Sequence, residues 1–414
     1  MQSQPDPRRT LRELQELRRL TSDADGAQRV AFTPTWSRAR EWFSGLAAGL
    51  PLERRRDAAG NLWFTLRGRS PRTLVIGSHL DSVPNGGWLD GALGVLAGLE
   101  ALRRLVRDHP DGPPVTVRLV DWADEEGARF GRSLFGSSAV SGTLDIEAAR
   151  ALRDRDGRTL PEVLAGHGLD LDRFPEARSE LRDVAAYLEL HIEQGPVLLE
   201  AGRPLGVVLG TFGVERHEVC FRGRAAHSGS TPMHLRRDAF LAAGRMGQEV
   251  YAITARHGGV STVGSCTTLP GIPTSVVEEC RLTLDQRHLD AAALGRLLED
   301  ARGAAARFAG EGGLEVGWKR LLSIPSAPFD PRLVALAEAA TRDVGVDPLR
   351  LPSGPLHDAS EMVRAGVPTA MLFVQSLHGI SHNPQEDTRE EDLVLAIRAF
   401  DRLVDRTLAL VTSE

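Results

Sequence analysis

Aromatic side chains are scarce in this chain, 5% of 414 residues, which leaves no evident stacking surface for nucleic acid. Cysteine is scarcer. Cys220, Cys266 and Cys280 are odd in number, widely spaced and without a C-x-x-C pair, so neither a disulfide framework nor a thiolate metal site is indicated. All three read as buried apolar thiols. No apolar run, 93–102 included, approaches the roughly 20 residues that cross a bilayer. Residues 1–19 are polar and lack an apolar signal core followed by a small-residue cleavage site. The expectation is a cytoplasmic protein with no membrane partner. The 50 basic residues, almost all arginine, meet 56 acidic ones for a net charge of −6. They are spread along the chain, so no basic block can neutralise phosphates, and nucleic acid is not an expected partner.

What the chain does contain is the composition of an ordinary globular protein, 42% hydrophobic and 26% charged. Its 414 residues exceed the roughly 250 to 300 over which one hydrophobic core grows, so two domains are expected. Strand-like runs at 73–77, 115–121, 185–190 and 205–209 accompany a leucine-periodic helix at 93–106, the pattern of an α/β fold. From about residue 211 the rhythm changes to strand 217–221, helix 237–256, strands 260–267 and 279–285, helix 290–308 and strand 314–321. That order is βαββαβ, the split ferredoxin-like unit. Helix 333–344, strand 370–374 and helix 393–410 then follow, with Pro325, Pro328 and Pro331 marking a return linker. The expected architecture is therefore a first domain of 1–211 and 326–414, interrupted by an inserted domain of 212–325.

The chemistry-bearing residues stand at strand ends, where α/β folds place their sites. Residues 77–84 read Gly-Ser-His-Leu-Asp-Ser-Val-Pro. In that step His79 can offer one ring nitrogen to a metal while Asp81, pointing back, holds the other N–H and sets the tautomer. Asp90 follows a loop containing Gly86 and Gly87 and heads a helix, from which its carboxylate could bridge two ions; a helix-capping aspartate is the alternative. Asp124, Glu125 and Glu126 follow strand 115–121. Adjacent acids repel, and a bound cation is one relief. With Glu126 on a metal, Glu125 is left free to take a proton from water; an exposed acidic turn is the alternative. His191 lies at the end of strand 185–190, and His382 follows strand 370–374. Each histidine alone is more often structural, but the whole set is an N/O ligand group suited to zinc or manganese.

These segments resemble those of the N-carbamoyl-L-amino acid hydrolase and allantoate amidohydrolase group, a beta-ureidopropionase-like branch of the aminoacylase and carboxypeptidase-like metallohydrolases. The likeness covers nearly the whole chain and includes 125–130, 191–196, 226–233, Arg287, 357–359 and 379–382. It implies a mixed-sheet zinc-hydrolase domain whose ferredoxin-like insertion is a lid and builds a homodimer. It implies two divalent ions, zinc or manganese, with cobalt or nickel as substitutes in vitro. His79, Asp90 and His191 would hold one ion, and Asp90, Glu126 and His382 the other. Glu125 would be the general base, beside Asp81, acting on a hydroxide shared by the ions, with His227 from the partner subunit at the developing oxyanion. Arg287 would clamp the α-carboxylate, with Gln194, Thr274, Gly354 and His357 as further substrate contacts.

The reaction implied is hydrolysis of a linear C–N bond in a small amino-acid-derived substrate, an N-carbamoyl or ureido L-amino acid or a related allantoate-like acid. An N-acyl amino acid deacylase or dipeptidase could use the same residues. A catalytically silent dimeric binding protein is the remote alternative, against which the intact Glu125 argues. Three departures from the group stand out. Thr274-Ser275-Val276-Val277 replaces the usual Asn-Val-Ile-Pro, exchanging an amide for a hydroxyl. Pro355 enters the usual Ser-Gly-Ala-Gly-His-Asp loop, which here reads 353–358, and removes a backbone N–H. Phe212 and Arg216 depart near the start of the insertion. The expected metal ligands show no departure.

Overall fold

The structure is a computed structural model that describes residues 3–413. The chain divides into two compact units, one made of the chain up to Leu209 and from Phe329 onward, the other Gly210–Pro328. In the first unit, strands β1 (Thr73–His79), β2 (Thr116–Trp122), β3 (Val184–Ile192), β4 (Leu205–Thr211) and β5 (Thr369–Val374) lie in the order β4-β5-β3-β1-β2. Leu62–Leu66 and then Glu53–Arg56 extend the sheet beyond β2. The four strands β5, β3, β1 and β2 run parallel, and their neighbours on both flanks run antiparallel. The sheet is mixed, as expected. Central parallel strands are covered on both faces, which is why β1 is buried at every position and reads as a continuous run instead of an alternating one.

Helix α1 (Ala92–Asp108) crosses from β1 to β2 and packs close to the sheet. A Cβ at Gly94 would lie 2.4 Å from the Leu190 carbonyl oxygen, so that position requires glycine, and one at Gly98 would lie 2.6 Å from Leu119 Cδ1, which would have to move aside. From β1 the chain crosses to β2 on one side, whereas β3 is laid down on the other. That parting opens a crevice at the carboxyl ends of β1 and β3. The register keeps those ends level: His79 pairs with Trp122, Ile76 with Leu188 and Phe373 with His191.

Two helices absent from the sequence reading open this unit, Pro7–Thr21 and Pro34–Ala47. Each carries a readable start signal, a capping side chain followed by proline: Asp6 accepts from the Arg9 amide and Thr33 from the Trp36 amide. In the first, Leu11, Leu14 and Leu17 are buried beneath an arginine- and glutamate-rich outer face.

The second unit is a four-stranded antiparallel sheet in the order Val260–Leu269, Glu279–His288, Gly213–Arg222, Glu315–Ile324, with helices Ala239–His257 and Ala291–Gly312. Its separate core gathers Val219, Phe221, Met246, Val250, Leu282, Leu297 and Phe308, the βαββαβ arrangement expected. The return is tighter than a loose linker. Ala327 and Pro328 pair with Thr211 and Gly210, and Pro331 begins the helix Pro331–Asp343 capped by Asp330. The expectation of three buried thiols fails for Cys266, which is exposed on the edge strand with its Sγ 3.5 Å from that of buried Cys280. Among the described residues no helix is long and apolar enough to cross a membrane.

Candidate metal centre

Four parallel strand ends deliver the expected residues to one place. His79 closes β1, Asp124 to Glu126 follow β2, His191 is the penultimate residue of β3, and His382 lies on the loop after β5. Asp124, Gln194 and His382 take left-handed φ values of 57°, 60° and 53°. Such conformations are uncommon outside glycine and cluster where a site dictates side-chain direction. Helix α1 begins after Gly91 without a side-chain cap, so the capping alternative for Asp90 fails and its carboxylate faces the histidines. The exposed-turn alternative fails too, because Asp124 and Glu125 are buried.

Two triplets able to hold a metal ion converge, His79–Asp90–His191 and Asp90–Glu126–His382, and Asp90 turns one oxygen toward each. Its Oδ1 lies 3.5 Å from His79 Nε2 and 3.1 Å from His191 Nε2. Its Oδ2 lies 3.4 Å from His382 Nε2, which is 3.3 Å from Glu126 Oε2. Donors at about 2.0–2.1 Å from a tetrahedral ion stand about 3.3–3.4 Å apart, so these separations suit a divalent cation. The tautomers sharpen the point. His79 Nδ1 faces the Asp81 carbonyl at 3.1 Å and His191 Nδ1 faces the Ile192 carbonyl at 2.9 Å, which assigns the ring proton to Nδ1 in each. In the neutral rings both Nε2 lone pairs then face a carboxylate oxygen, acceptor against acceptor, a contact that a cation between them relieves, whether a metal ion or a proton. His191 Nε2 and Glu126 Oε1 are buried without a hydrogen-bond partner among the described residues.

Asp81 differs from expectation in which atom does the work. Its main-chain carbonyl is the nearer partner of His79, the carboxylate oxygen standing at 3.6 Å. The carboxylate instead accepts from the amides of Glu125 and Glu126 at 3.2 and 3.1 Å and shapes the acidic turn. The H-x-D spacing identifies the residue; backbone geometry decides the atom. Gln194 reaches Asp90 Oδ2 at 2.8 Å through its side-chain amide. Buried His357 packs edge-on to His191 with ring centroids 4.5 Å apart and faces Ser353 Oγ at 3.0 Å. Glu189 with His191 and His357 forms a third metal-compatible group. Its oxygens already accept from Ser78, Tyr187 and the Ala359 amide, so it reads as scaffolding behind β3. Gly354 is half-buried in the Pro355 loop, where Ser353 Oγ donates to the Pro355 carbonyl.

Sequence reading missed Glu386. It is buried, accepts from the amides of Leu89 and Asp90 at 3.0 and 3.1 Å, and meets Ser381 Oγ at 2.9 Å. Its only sequence signal is its place four residues beyond His382.

The carboxylates of this cluster strain against one another. Burial and then repulsion from Asp90 push the Glu126 carboxyl up to about 7. Contact with Asp90 pushes His382 up to about 9 against the opposing effect of burial. Both folded values exceed the ordinary ones, so each group contributes stability at low pH that is lost as pH rises through its folded value. Chelator-treated protein should therefore show a falling urea midpoint between about pH 5 and pH 9, and a divalent ion that replaces those protons should flatten the fall. A midpoint that climbs across that range would contradict the clustering of these groups.

In the second unit, His227 Nδ1 accepts from the amides of Gly229 and Ser230 at 3.1 and 3.3 Å, which leaves Nε2 as the N–H donor of the neutral ring. Thr274 is exposed, and its carbonyl accepts from the Ser228 amide at 3.0 Å, tying the two segments together. Arg287 donates to Asp285 at 2.7 Å, and Arg216 pairs with the same carboxylate at 2.6 Å.

A mixed sheet with a βαββαβ insertion and histidines and carboxylates gathered at its parallel strand ends defines a metal-dependent hydrolase. The chain belongs to the Peptidase family M20/M25/M40, whose sequence profile matches residues 75–406. It is 38% identical over 375 residues, 89% of this chain and 90% of the other, to the N-carbamoyl-L-amino acid amidohydrolase of Geobacillus stearothermophilus. To the allantoate amidohydrolase of Escherichia coli strain K12 it is 33% identical over 383 residues, 91% of this chain and 92% of the other. An amidase of the hydantoinase/carbamoylase family from Burkholderia multivorans shares the fold with a TM-score of 0.87 at 31% identity, over 97% of this chain and 98% of that one. These are the groups to which the motifs pointed.

Proposed function

We propose that the protein hydrolyses the linear C–N bond of an N-carbamoyl or ureido L-amino acid, or a related ureido acid, using two divalent ions held by His79, Asp90, His191, Glu126 and His382. One observation supports this above the rest: Asp90 presents a separate oxygen to each triplet, with Glu125 Oε2 just 3.7 Å from His79 Nε2 and outside both. The names of the relatives support the substrate class. When bound, zinc or manganese would supply Lewis acidity, acidifying water and polarising the scissile carbonyl. Glu125 accepts the proton of the attacking water and returns it to the departing nitrogen. For a carbamoyl substrate, the products are the amine and carbamic acid, which falls to ammonia and carbon dioxide. By the same resemblance His227 offers its Nε2–H to the oxyanion, and Arg287 offers its guanidinium fork to the substrate carboxylate. Gln194, Thr274, Gly354 and His357 are the further substrate contacts, and 212–325 is the lid.

A homodimer through that insertion is part of the proposal. Among the described residues Val260–Leu269 pairs with a neighbour on one side and leaves the other as an open sheet edge, and the adjacent helix Ala239–His257 exposes Phe240, Leu241 and Tyr251. Open edges and clustered apolar side chains are features that a partner copy covers.

The test is product release by the zinc- or manganese-loaded protein from matched N-carbamoyl, N-acetyl and dipeptide forms of several L-amino acids. Light scattering on the same sample should return twice 44.9 kDa. Preferential turnover of carbamoyl or ureido forms is the expected result. Turnover of acetyl or peptide forms would make the protein a deacylase or dipeptidase. Silence throughout, with no metal bound, would leave the binding-protein reading.

A further inference from the structure

Asp90 and His382 belong to loops that start from different strands and are separated by almost 300 residues, yet their ligand atoms must be held within 3.4 Å of each other. We infer that Glu386 is a positioning residue that latches these two loops together, and that its loss selectively weakens the ion held by Asp90, Glu126 and His382. The inference rests on the two-ion reading above. One carboxylate oxygen of Glu386 accepts from the amides of Leu89 and Asp90, fixing the backbone that carries the bridging carboxylate. The other meets Ser381 Oγ at 2.9 Å, and Ser381 Oγ also lies 3.1 Å from Asp90 Oδ2, the oxygen turned toward His382. Ser381 directly precedes His382, so the latch bears on the backbone of that ligand as well.

The packing around Glu386 admits little adjustment. Its carboxylate lies against the chain at Gly87, where an added Cβ would come within 1.9 Å of Glu386 Cδ. The missing side chain at Gly87 is what lets the chain pass over a buried carboxylate. By contrast, the other triplet shares Asp90 with the first but takes its remaining two members, His79 and His191, from β1 and β3, whose ladders hold them without help from Glu386. The asymmetry between the two triplets follows from that difference in support.

The test is calorimetric titration of zinc into chelator-stripped full-length protein, with metal content counted after desalting. Wild-type protein should take up two ions per chain. Glu386→Ala should weaken the weaker-held ion by about 10- to 100-fold, the usual cost of losing a group that orients a ligand, and drive the count after desalting toward one. Gly87→Ala, which displaces the carboxylate without removing it, should do the same. Glu386→Gln can still accept from both amides and reach Ser381, so it should restore the second ion. Unchanged unfolding of the stripped variants would separate positioning from general damage. Two ions bound at wild-type affinity in Glu386→Ala would overturn the latch alone, as would equal weakening of both ions or a Gln variant that behaves like Ala. Failure of the wild-type protein to bind zinc would overturn the latch together with the two-ion reading beneath it.

Discussion

Glu125→Gln is expected to lower kcat on an N-carbamoyl amino acid by about 10²- to 10⁴-fold while leaving metal content at the wild-type level. Glu125 is buried beside the ligand cluster but belongs to neither triplet. Its amide is held by Asp81 at 3.2 Å, which fixes where the side chain starts, and its Oε2 stands 3.7 Å from His79 Nε2. Burial, with repulsion from Asp358, Glu126 and Asp81, pushes its carboxyl well above the ordinary range, and His79 pulls it back. A carboxylate held that way has gained affinity for a proton, the property a general base needs. Glutamine keeps the volume and the backbone hydrogen bond to Asp81 and removes the basicity. Steady-state kinetics paired with metal analysis reads both quantities. Metal lost in proportion to activity would make Glu125 a ligand and leave the proton transfer without an owner.

Asp90→Ala is expected to abolish binding of both ions and, with it, measurable turnover. Removing a ligand unique to one triplet, as in His382→Ala, should remove a single ion. The difference comes from Asp90 serving both triplets, Oδ1 toward His79 and His191 and Oδ2 toward His382. Without the carboxylate the two buried histidine lone pairs have no anion to share a cation with, and Glu126 and His382 lose their common partner. Metal counting on both variants decides the matter. One full ion retained by Asp90→Ala would show that the carboxylate does not bridge.

Much of this centre was readable before any coordinates. β1, β2 and β3 announce themselves as apolar runs ended by glycine, acid or histidine, with their histidines and carboxylates at or just past those ends, while His382 comes eight residues after the apolar run of β5. The insertion was readable because βαββαβ is a closed unit with its own periodicity, and its core closes on itself. The polar helix Pro7–Thr21 escaped because three buried leucines carry its inner face among many charges, although Asp6-Pro7 was a fair start signal. Asp81 was recognised through the wrong atom. Spacing specifies that a residue can reach, and local backbone geometry specifies whether carbonyl or carboxylate arrives first. Glu386 escaped entirely, because nothing local in 383–387 reports that the chain at 87–90 runs over it.

The sequence by itself determined the inventory: which side chains can ligate, which can exchange a proton, and which strands bring them to a common edge. These are consequences of residue type and of periods two to four residues long. Only the tertiary structure decided how Asp90 divides its two oxygens, which ring nitrogens keep their protons, and which buried carboxylate joins the loops. Those outcomes depend on distances between segments up to about 300 residues apart, set by sheet register and packing that no local pattern encodes.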